Sequence, residues 1–350
     1  MRLIQPLYVA RACALLLGVF LCAPPAGAEG GSAQSASPKT PARDTSVKKK
    51  PTYSARTSRA RKARLARARA AARAREQARL RLLEAMTPRF KTDASGAIVP
   101  DVRAAAAILF DPGTGQVLWE ENAQDKRSIA SITKVMTALV FLEDNPDLSQ
   151  QITVQRGDVF AASTTYLRAN ERIALDDVLH LTLIASDNAA ARVLARVSHG
   201  GTAAFVERMN EKALELGLES TTFADPSGLN PDNISSAYDL SRLISFATAD
   251  ERLAPIMRMV EYRVSTSRRS FNIHSTNRLL LGGDVDVLGG KTGFISKAGY
   301  CLATLLRLPQ SNHQVAVVVL GAESNQNRFW ETRHLFNWLS EKATDIFKED

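Results

Sequence analysis

The sequence predicts an α/β lobe built from both ends of a globular region, a helical lobe inserted between them, and a cleft where the two meet. Two observations lead there. Short apolar runs bounded by turn residues stand near 102–120 and again near 286–320. The stretch between, 147–270, reads mostly as helices and loops. The chain has 350 residues, 45% of them hydrophobic, enough to bury the core of one large domain or two small ones.

Charge divides the chain before any element is read. Residues 1–86 hold 18 Lys and Arg against 4 Asp and Glu, and the remainder holds 27 against 32. The net charge of +9 therefore belongs to the N-terminal part, and the mildly acidic remainder gives no reason to expect nucleic-acid binding. Residues 1–28 have the layout of an export signal. Arg2 and Arg11 precede and open an apolar run to Leu21, and Ala26-Gly27-Ala28 fits a cleavage site. That run is short for a membrane span, although a retained anchor is the alternative. Cys22 follows Leu21, where a lipoprotein signal needs a small residue, so plain export to the periplasm is expected. Cleavage near Ala28 removes Cys13 and Cys22, leaving Cys301 in an apolar run, read as a buried small hydrophobe.

Residues 29–53 have linker composition, rich in Ser, Ala, Pro, Thr and Lys. Residues 54–85 form an Ala/Arg tract of good helix formers with little apolar face to bury. Together, residues 29–88 are expected to be a disordered or partly helical basic tether. It is either a soluble spacer or an attachment to an anionic surface or polymer. The globular part is expected over 89–350, its patterned sequence beginning near Ala94. Residues 102–110 and 116–120 flank Asp111-Pro112-Gly113-Thr114-Gly115 and read as a hairpin. A helix follows to Glu143, stopped by Asn145-Pro146. Further helices are expected at 175–183, from 188 to 197, and at 205–216 with a stop at Gly217. Residues 223–230 are a polar loop, and 238–248 and 253–260 look helical. Strands are expected at 286–294, 300–306 and 314–320. Helix 327–347 closes the fold, with Phe329, Trp330, Leu335, Phe336 and Leu339 packed on the sheet.

The chemistry begins at Ser131. Lys134 lies three residues on, so on a helix both side chains share one face. A serine hydroxyl needs a base beside it, and a lysine serves if burial or a second cation lowers its pKa. A helix N-terminus adds backbone N–H groups where a tetrahedral oxyanion would form. Alone, S-x-x-K is weak: a chain of this length holds about one by accident, and Ser46/Lys49 also match. As an isolated match, Ser131 reads equally as a helix cap. Two further motifs follow in order, Ser186-Asp187-Asn188 and Lys291-Thr292-Gly293. S-x-N also occurs at Ser270/Asn272 and Ser275/Asn277, but only Ser186 sits on the helical lobe between the other motifs. The bland readings are a helix-terminal cap for Ser186 and Asn188, and a solvated turn for Lys291.

In these three motifs residues 94–350 resemble the penicillin-binding proteins and serine β-lactamases. The segments SIASITKVMTALV, HLTLIASDNAAARVLA, ADPSGLNPDN, HSTNRLL and GGKTGFISKAGYCLA resemble the low-molecular-mass D-alanyl-D-alanine peptidases, most of all the penicillin-binding protein 7 type of D,D-endopeptidase. The resemblance implies a β-lactamase/transpeptidase-like fold, an antiparallel sheet flanked by helices with an inserted all-helical lobe. It implies that Ser131 is acylated, Lys134 takes its proton with help from the charge of Lys291, and Ser186 relays a proton to the leaving amine. Asn188 would orient Lys134 and bind substrate. Thr292, Gly293 and Phe294 would hold substrate along a strand, with the N–H groups of Ser131 and Phe294 as oxyanion hole. It implies peptidoglycan stem peptides as substrate, β-lactams as inhibitors, and no cofactor or metal. Many carboxypeptidase relatives add a C-terminal β domain and an amphipathic anchor. Here 57 residues follow Gly293, which favours the endopeptidase branch.

Three rivals remain. A D,D-carboxypeptidase would use the same motifs. A β-lactamase would need a deacylating acid, for which Glu171 is the nearest candidate in poorly matching surroundings. A non-catalytic wall-binding protein would have little use for an intact Ser131, Lys134, Ser186 and Lys291. The histidines at 180, 199, 274, 313 and 334 are scattered and read as structural, with His274 within reach of the cleft.

Overall fold

The computed structural model describes residues 55–309 and 312–346. The expected export signal and the linker at 29–53 lie outside the described residues. The chain divides into a unit of residues 1–66, of which 55–66 are described and helical, and a unit of residues 67–350. Helix α1 (Ala55–Met86) takes up the Ala/Arg tract as one helix of 32 residues. Its described side chains are exposed almost throughout, as a tract without an apolar stripe requires.

Strands β1 (Phe90–Thr92) and β2 (Ile98–Pro100) form a short hairpin that the sequence reading did not anticipate. β3 (Ala106–Phe110) and β4 (Val117–Glu121) are the expected hairpin. Its turn is built on Asp111, whose carboxylate accepts from Gly113 N–H at 2.8 Å and Thr114 Oγ1 at 2.9 Å. β5 (Arg127–Ser128) leads through a 3-10 turn at Ala130–Ile132 into α2 (Thr133–Glu143). The helical region follows: β6 (Gln151–Thr153), α3 (Arg156–Val159), β7 (Arg172–Ala174), α4 (Leu175–Leu183), α5 (Asn188–Val197), α6 (Gly201–Glu215), β8 (Ile234–Ser235), α7 (Ala237–Ala249) and α8 (Leu253–Arg258). Hairpin β9 (Glu261–Ser265) and β10 (Ser270–His274) precedes the long strands β11 (Asp286–Ile295), β12 (Gly299–Arg307) and β13 (Gln314–Ala322), and α9 (Asn327–Ile346) ends the described chain.

The main sheet is antiparallel in the order β11-β12-β13-β3-β4, so the two chain ends build one sheet as expected. Alternate residues point to opposite faces of a strand. Ile108, Phe110, Leu305, Ala316, Val318 and Leu320 face the core shared with the helices. Their neighbours Leu109, Leu306, Val315, Val317 and Val319 pack on Phe329, Leu335, Phe336 and Leu339 of α9. Burying each of the larger of these side chains contributes about 1.5–3 kcal/mol, so sheet and flanking helices hold each other in place.

Two features of the helical region differ from expectation. It contains strands β6 to β8 and most of the β9–β10 hairpin, where helices and loops were expected. β9 (Glu-Tyr-Arg-Val-Ser) and β10 (Ser-Phe-Asn-Ile-His) both alternate polar and apolar, with Tyr262, Val264, Phe271 and Ile273 turned to the core, so the period-two signal was present in two five-residue runs. α2 has no polar face: all residues from Thr133 to Leu142 are buried, Lys134 included. It runs through the middle of the helical lobe, against α4, α5, α6 and α7.

Candidate active site

The three motifs meet in a cleft of about 430 Å³ between the edge strand β11 and the helical lobe. Ser131, Ser186, Asn188, Thr292, Gly293 and Phe294 all line it. Lys134 and Lys291 are buried behind it, and their ammonium groups donate to the cleft residues Ser131 and Ser186.

Ser131 sits in the 3-10 turn just ahead of α2, not within the α-helix itself, and the i, i+3 spacing still brings its side chain to Lys134. Lys134 Nζ donates to Ser131 Oγ at 2.9 Å, to Asn188 Oδ1 at 2.6 Å and to the Ser227 carbonyl. The helix-cap reading of Ser131 does not hold, since neither flanking helix has a side-chain cap. Ala130, one residue before, adopts φ +49°, a left-handed conformation that costs a residue with a Cβ of order 1–3 kcal/mol.

Ser186 and Asn188 flank the N-terminus of α5. The cap there is Asp187, which accepts from Ala190 N–H at 2.9 Å and from Tyr166 N–H at 2.6 Å. Capping therefore leaves both neighbours free. Ser186, at φ +59°, accepts from Lys291 Nζ at 2.7 Å, and Asn188 Nδ2 donates to Ala162 O at 2.8 Å. Left-handed backbone thus occurs next to one cleft serine and at the other.

Lys291 is buried on β11 rather than solvated in a turn, and also donates to Thr292 O at 2.9 Å. Thr292 Oγ1 donates to Thr276 Oγ1 at 2.6 Å. Gly293 lies against the Ser131 turn. A Cβ there would stand 2.7 Å from Ile129 O and 3.3 Å from Ser131 N, so only glycine permits this approach. Phe294 is half exposed and stacks on Tyr300, ring centroids 4.2 Å apart.

Electrostatics follow from burial. Taking Lys134 out of water lowers its pKa to about 7, and Arg192 pushes the same way while Asp187 and Asp225 partly oppose. Burial also holds Lys291 well below the usual lysine range, aided by the charges of Lys134 and Arg328. The expected repulsion between the lysines therefore acts chiefly on Lys291. Burial raises the Asp187 carboxyl against its hydrogen bonds from Ala190 and Tyr166.

Three contributors were not assigned roles from sequence. Asp225 accepts N–H bonds from Ser227, Gly228 and Asn230, each 2.6 Å, and so shapes the loop whose Ser227 carbonyl meets Lys134. The turn signal Asp-Pro-Ser-Gly was visible, but its target was not. Thr276 lines the cleft and partners Thr292. Arg328 of α9 lines the cleft too, donates to Gly293 O at 3.0 Å and Cys301 O at 3.2 Å, and has a buried Nε without a hydrogen-bond partner.

Other candidates fall away. Glu171 is buried, 3.2 Å from Arg269, and does not line the cleft. His274 is 70% exposed on β10, near Glu261, and does not line the cleft either. Cys301 is buried in β12, as expected, and burial raises its thiol pKa to about 11.

A family model described as D-alanyl-D-alanine carboxypeptidase, peptidase S11, matches residues 93–324. A D-alanyl-D-alanine endopeptidase of Escherichia coli is 31% identical over 250 residues, spanning 70% of this chain and 80% of the relative. A D-alanyl-D-alanine endopeptidase of Pseudomonas aeruginosa is 32% identical over 68% of this chain and 78% of its own. Among solved structures, the Streptomyces K15 DD-transpeptidase superposes with TM-score 0.64 at 28% identity, over 68% of this chain and 97% of that one. A matched span that holds all three motifs, and a fold shared with a DD-transpeptidase, place the chain in the peptidase S11 family of serine D,D-peptidases.

Proposed function

We propose that this enzyme hydrolyses D-alanyl peptide bonds in peptidoglycan through an acyl-enzyme on Ser131, and that it cuts cross-links as an endopeptidase. The observation that carries the reading is the Lys134–Ser131 contact of 2.9 Å at a lysine whose pKa burial lowers to about 7. A base with that pKa is part neutral at physiological pH, where proton removal is efficient. Lys134 takes the Ser131 proton as Oγ attacks the D-alanyl carbonyl. The N–H groups of Ser131 and Phe294 receive the oxyanion. Ser186, held by Lys291, passes a proton to the leaving amine, and water then releases the acyl group. Thr292 and Arg328 hold the leaving side, which bears a carboxylate next to its D-centre.

The endopeptidase reading draws on relatives of that name matched over 78–80% of their own length; a Bacillus subtilis carboxypeptidase is matched over 59% of its own. Arg328 in the cleft is equally suited to a second reading, removal of a terminal D-Ala, because that leaving residue carries the same carboxylate beside its amine. β-Lactams are expected to acylate Ser131 in either case. The same reading takes residues 1–28 as a cleaved export signal, places the enzyme in the periplasm, and takes residues 29–88 as a tether to the domain at 89–350.

Mass spectrometry of a purified cross-linked muropeptide dimer, incubated with the full chain and with Ser131→Ala, tests this. Splitting of the dimer by the unmodified protein alone supports the endopeptidase. Loss of a terminal D-Ala with the cross-link intact supports the carboxypeptidase, and no change in either rejects both.

A further inference from the structure

A second cavity of about 460 Å³ stands one residue along the chain from the cleft, Lys297 lining it and Ser296 the cleft, and none of the roles above uses it. Lys126, Arg127, Ser128, Asp232, Ile234 and Lys297 line it. Its wall is fixed by pairing of β5 with β8, Arg127 opposite Ser235 and Ser128 opposite Ile234. The next residue continues the pairing, with Ile129 N–H donating to Asn233 O at 3.1 Å. Three cations and one acid line the space. Lys126 and Lys297 are exposed, and among the described residues no carboxylate pairs with either. Two buried polar atoms, Arg127 Nε and Ser128 Oγ, have no hydrogen-bond partner. Ser128 is 8% exposed, so its hydroxyl is a buried group left unsatisfied. Net positive charge beside orphaned donors is the chemistry of an anion site.

Its place along the cleft says which part of a substrate would reach it. Ser186, joined to Lys291, stands where the leaving amine takes up its proton, so the leaving strand lies at the Lys291 end of β11. The acyl strand then runs the other way, past Gly293 and Ile295. Ser296 lines the cleft and its neighbour Lys297 lines the second cavity. Ser128, also in that cavity, stands three residues before the nucleophile in the chain. The geometry points to a subsite for a free carboxylate of the acyl-donor stem peptide, upstream of the bond cleaved at Ser131. This rests on the D,D-peptidase function proposed above.

The test compares two substrates for the full chain, identical cross-linked muropeptides with the donor-stem carboxylates either free or converted to carboxamides. The unmodified protein is expected to favour the acid form by about tenfold in kcat/KM, mainly through KM, with the preference shrinking as salt rises from 0.05 to 0.5 M. Lys297→Gln is expected to bring the ratio near one, and Lys297→Glu to invert it. Equal kcat/KM for both forms in the unmodified protein, or a tenfold preference that survives in a Lys126→Gln, Lys297→Gln double variant, overturns the subsite. Benzylpenicillin labelling of the unmodified protein separates the two layers. Labelling without substrate preference refutes the subsite alone, and absence of labelling refutes the function and the subsite with it.

Discussion

Replacing Gly228 with alanine should cripple acylation while leaving the domain folded. Gly228 has φ +81°, and a Cβ there would stand 2.0 Å from Ala130 O, 2.4 Å from Ala130 C and 2.9 Å from Ser131 N. Real contacts are not that short, so one backbone must retreat by about 1 Å. Either choice disturbs chemistry. Moving residue 130 shifts the Ser131 nucleophile and its N–H, while moving residue 228 drags the Ser227 carbonyl off Lys134. A misplacement of about 1 Å at reacting groups costs about 100-fold, equal to about 2.7 kcal/mol in the barrier. The left-handed backbone adds about 1–2 kcal/mol of destabilisation. Gly96→Ala isolates that second part, because Gly96 has φ +87° with nothing within 4 Å of an added Cβ. Stopped-flow acylation with a fluorescent penicillin and thermal melts measure the two effects. Gly96→Ala should lose a few degrees of Tm and no acylation rate, whereas Gly228→Ala should lose both. A Gly228→Ala protein that acylates within threefold of the unmodified enzyme would refute the argument that this contact sets the nucleophile.

Three further outcomes follow from the site. With Lys134 titrating near 7 and acting as base when neutral, its active fraction rises about tenfold from pH 6 to pH 8. Acylation should rise to match and then level off, and a flat profile over that range would exclude Lys134 as the base. Asn188→Ala removes an acceptor from Lys134 and a donor from Ala162 O, both buried. Penicillin acylation should fall by about tenfold to a hundredfold, and an unchanged rate would show that Lys134 holds its position without Asn188. Glu171→Gln breaks a buried pair with Arg269 and should destabilise by about 1–3 kcal/mol. Release of the penicilloyl group should not slow, and a slowing of deacylation beyond tenfold would return Glu171 to the chemistry.

Much of this arrangement was readable in the amino-acid order, for reasons that also say where reading stops. α4, α7 and α9 match their expected ranges to within a residue or two at each end, because apolar residues recur along each of them. The Ser131–Lys134 contact follows from spacing alone. Contacts between distant segments do not. Ser227 O meets Lys134 across 93 residues, and Arg328 meets Gly293 across 35, through a loop and a helix whose local patterns name no partner. Hairpin β9–β10 was legible, since Tyr262/Val264 and Phe271/Ile273 alternate with polar residues on either side of a short turn, but each run is only five residues long and stands at the end of a stretch read as helical. The left-handed residues Ala130 and Ser186 escaped because neither type favours that conformation, and only the surrounding packing imposes it.

The three acceptors around Lys134 have a consequence for direction. An ammonium has three N–H bonds, and Ser131 Oγ, Asn188 Oδ1 and Ser227 O take all three. A neutral amine keeps two. The Asn188 and Ser227 oxygens can only accept, so they retain those two, and the lone pair is left pointing at the one neighbour that carries a proton to give. The lysine thus needs no rotational search before it acts: losing its own proton aims it at Ser131, and the reverse transfer returns it to a fully bonded cation.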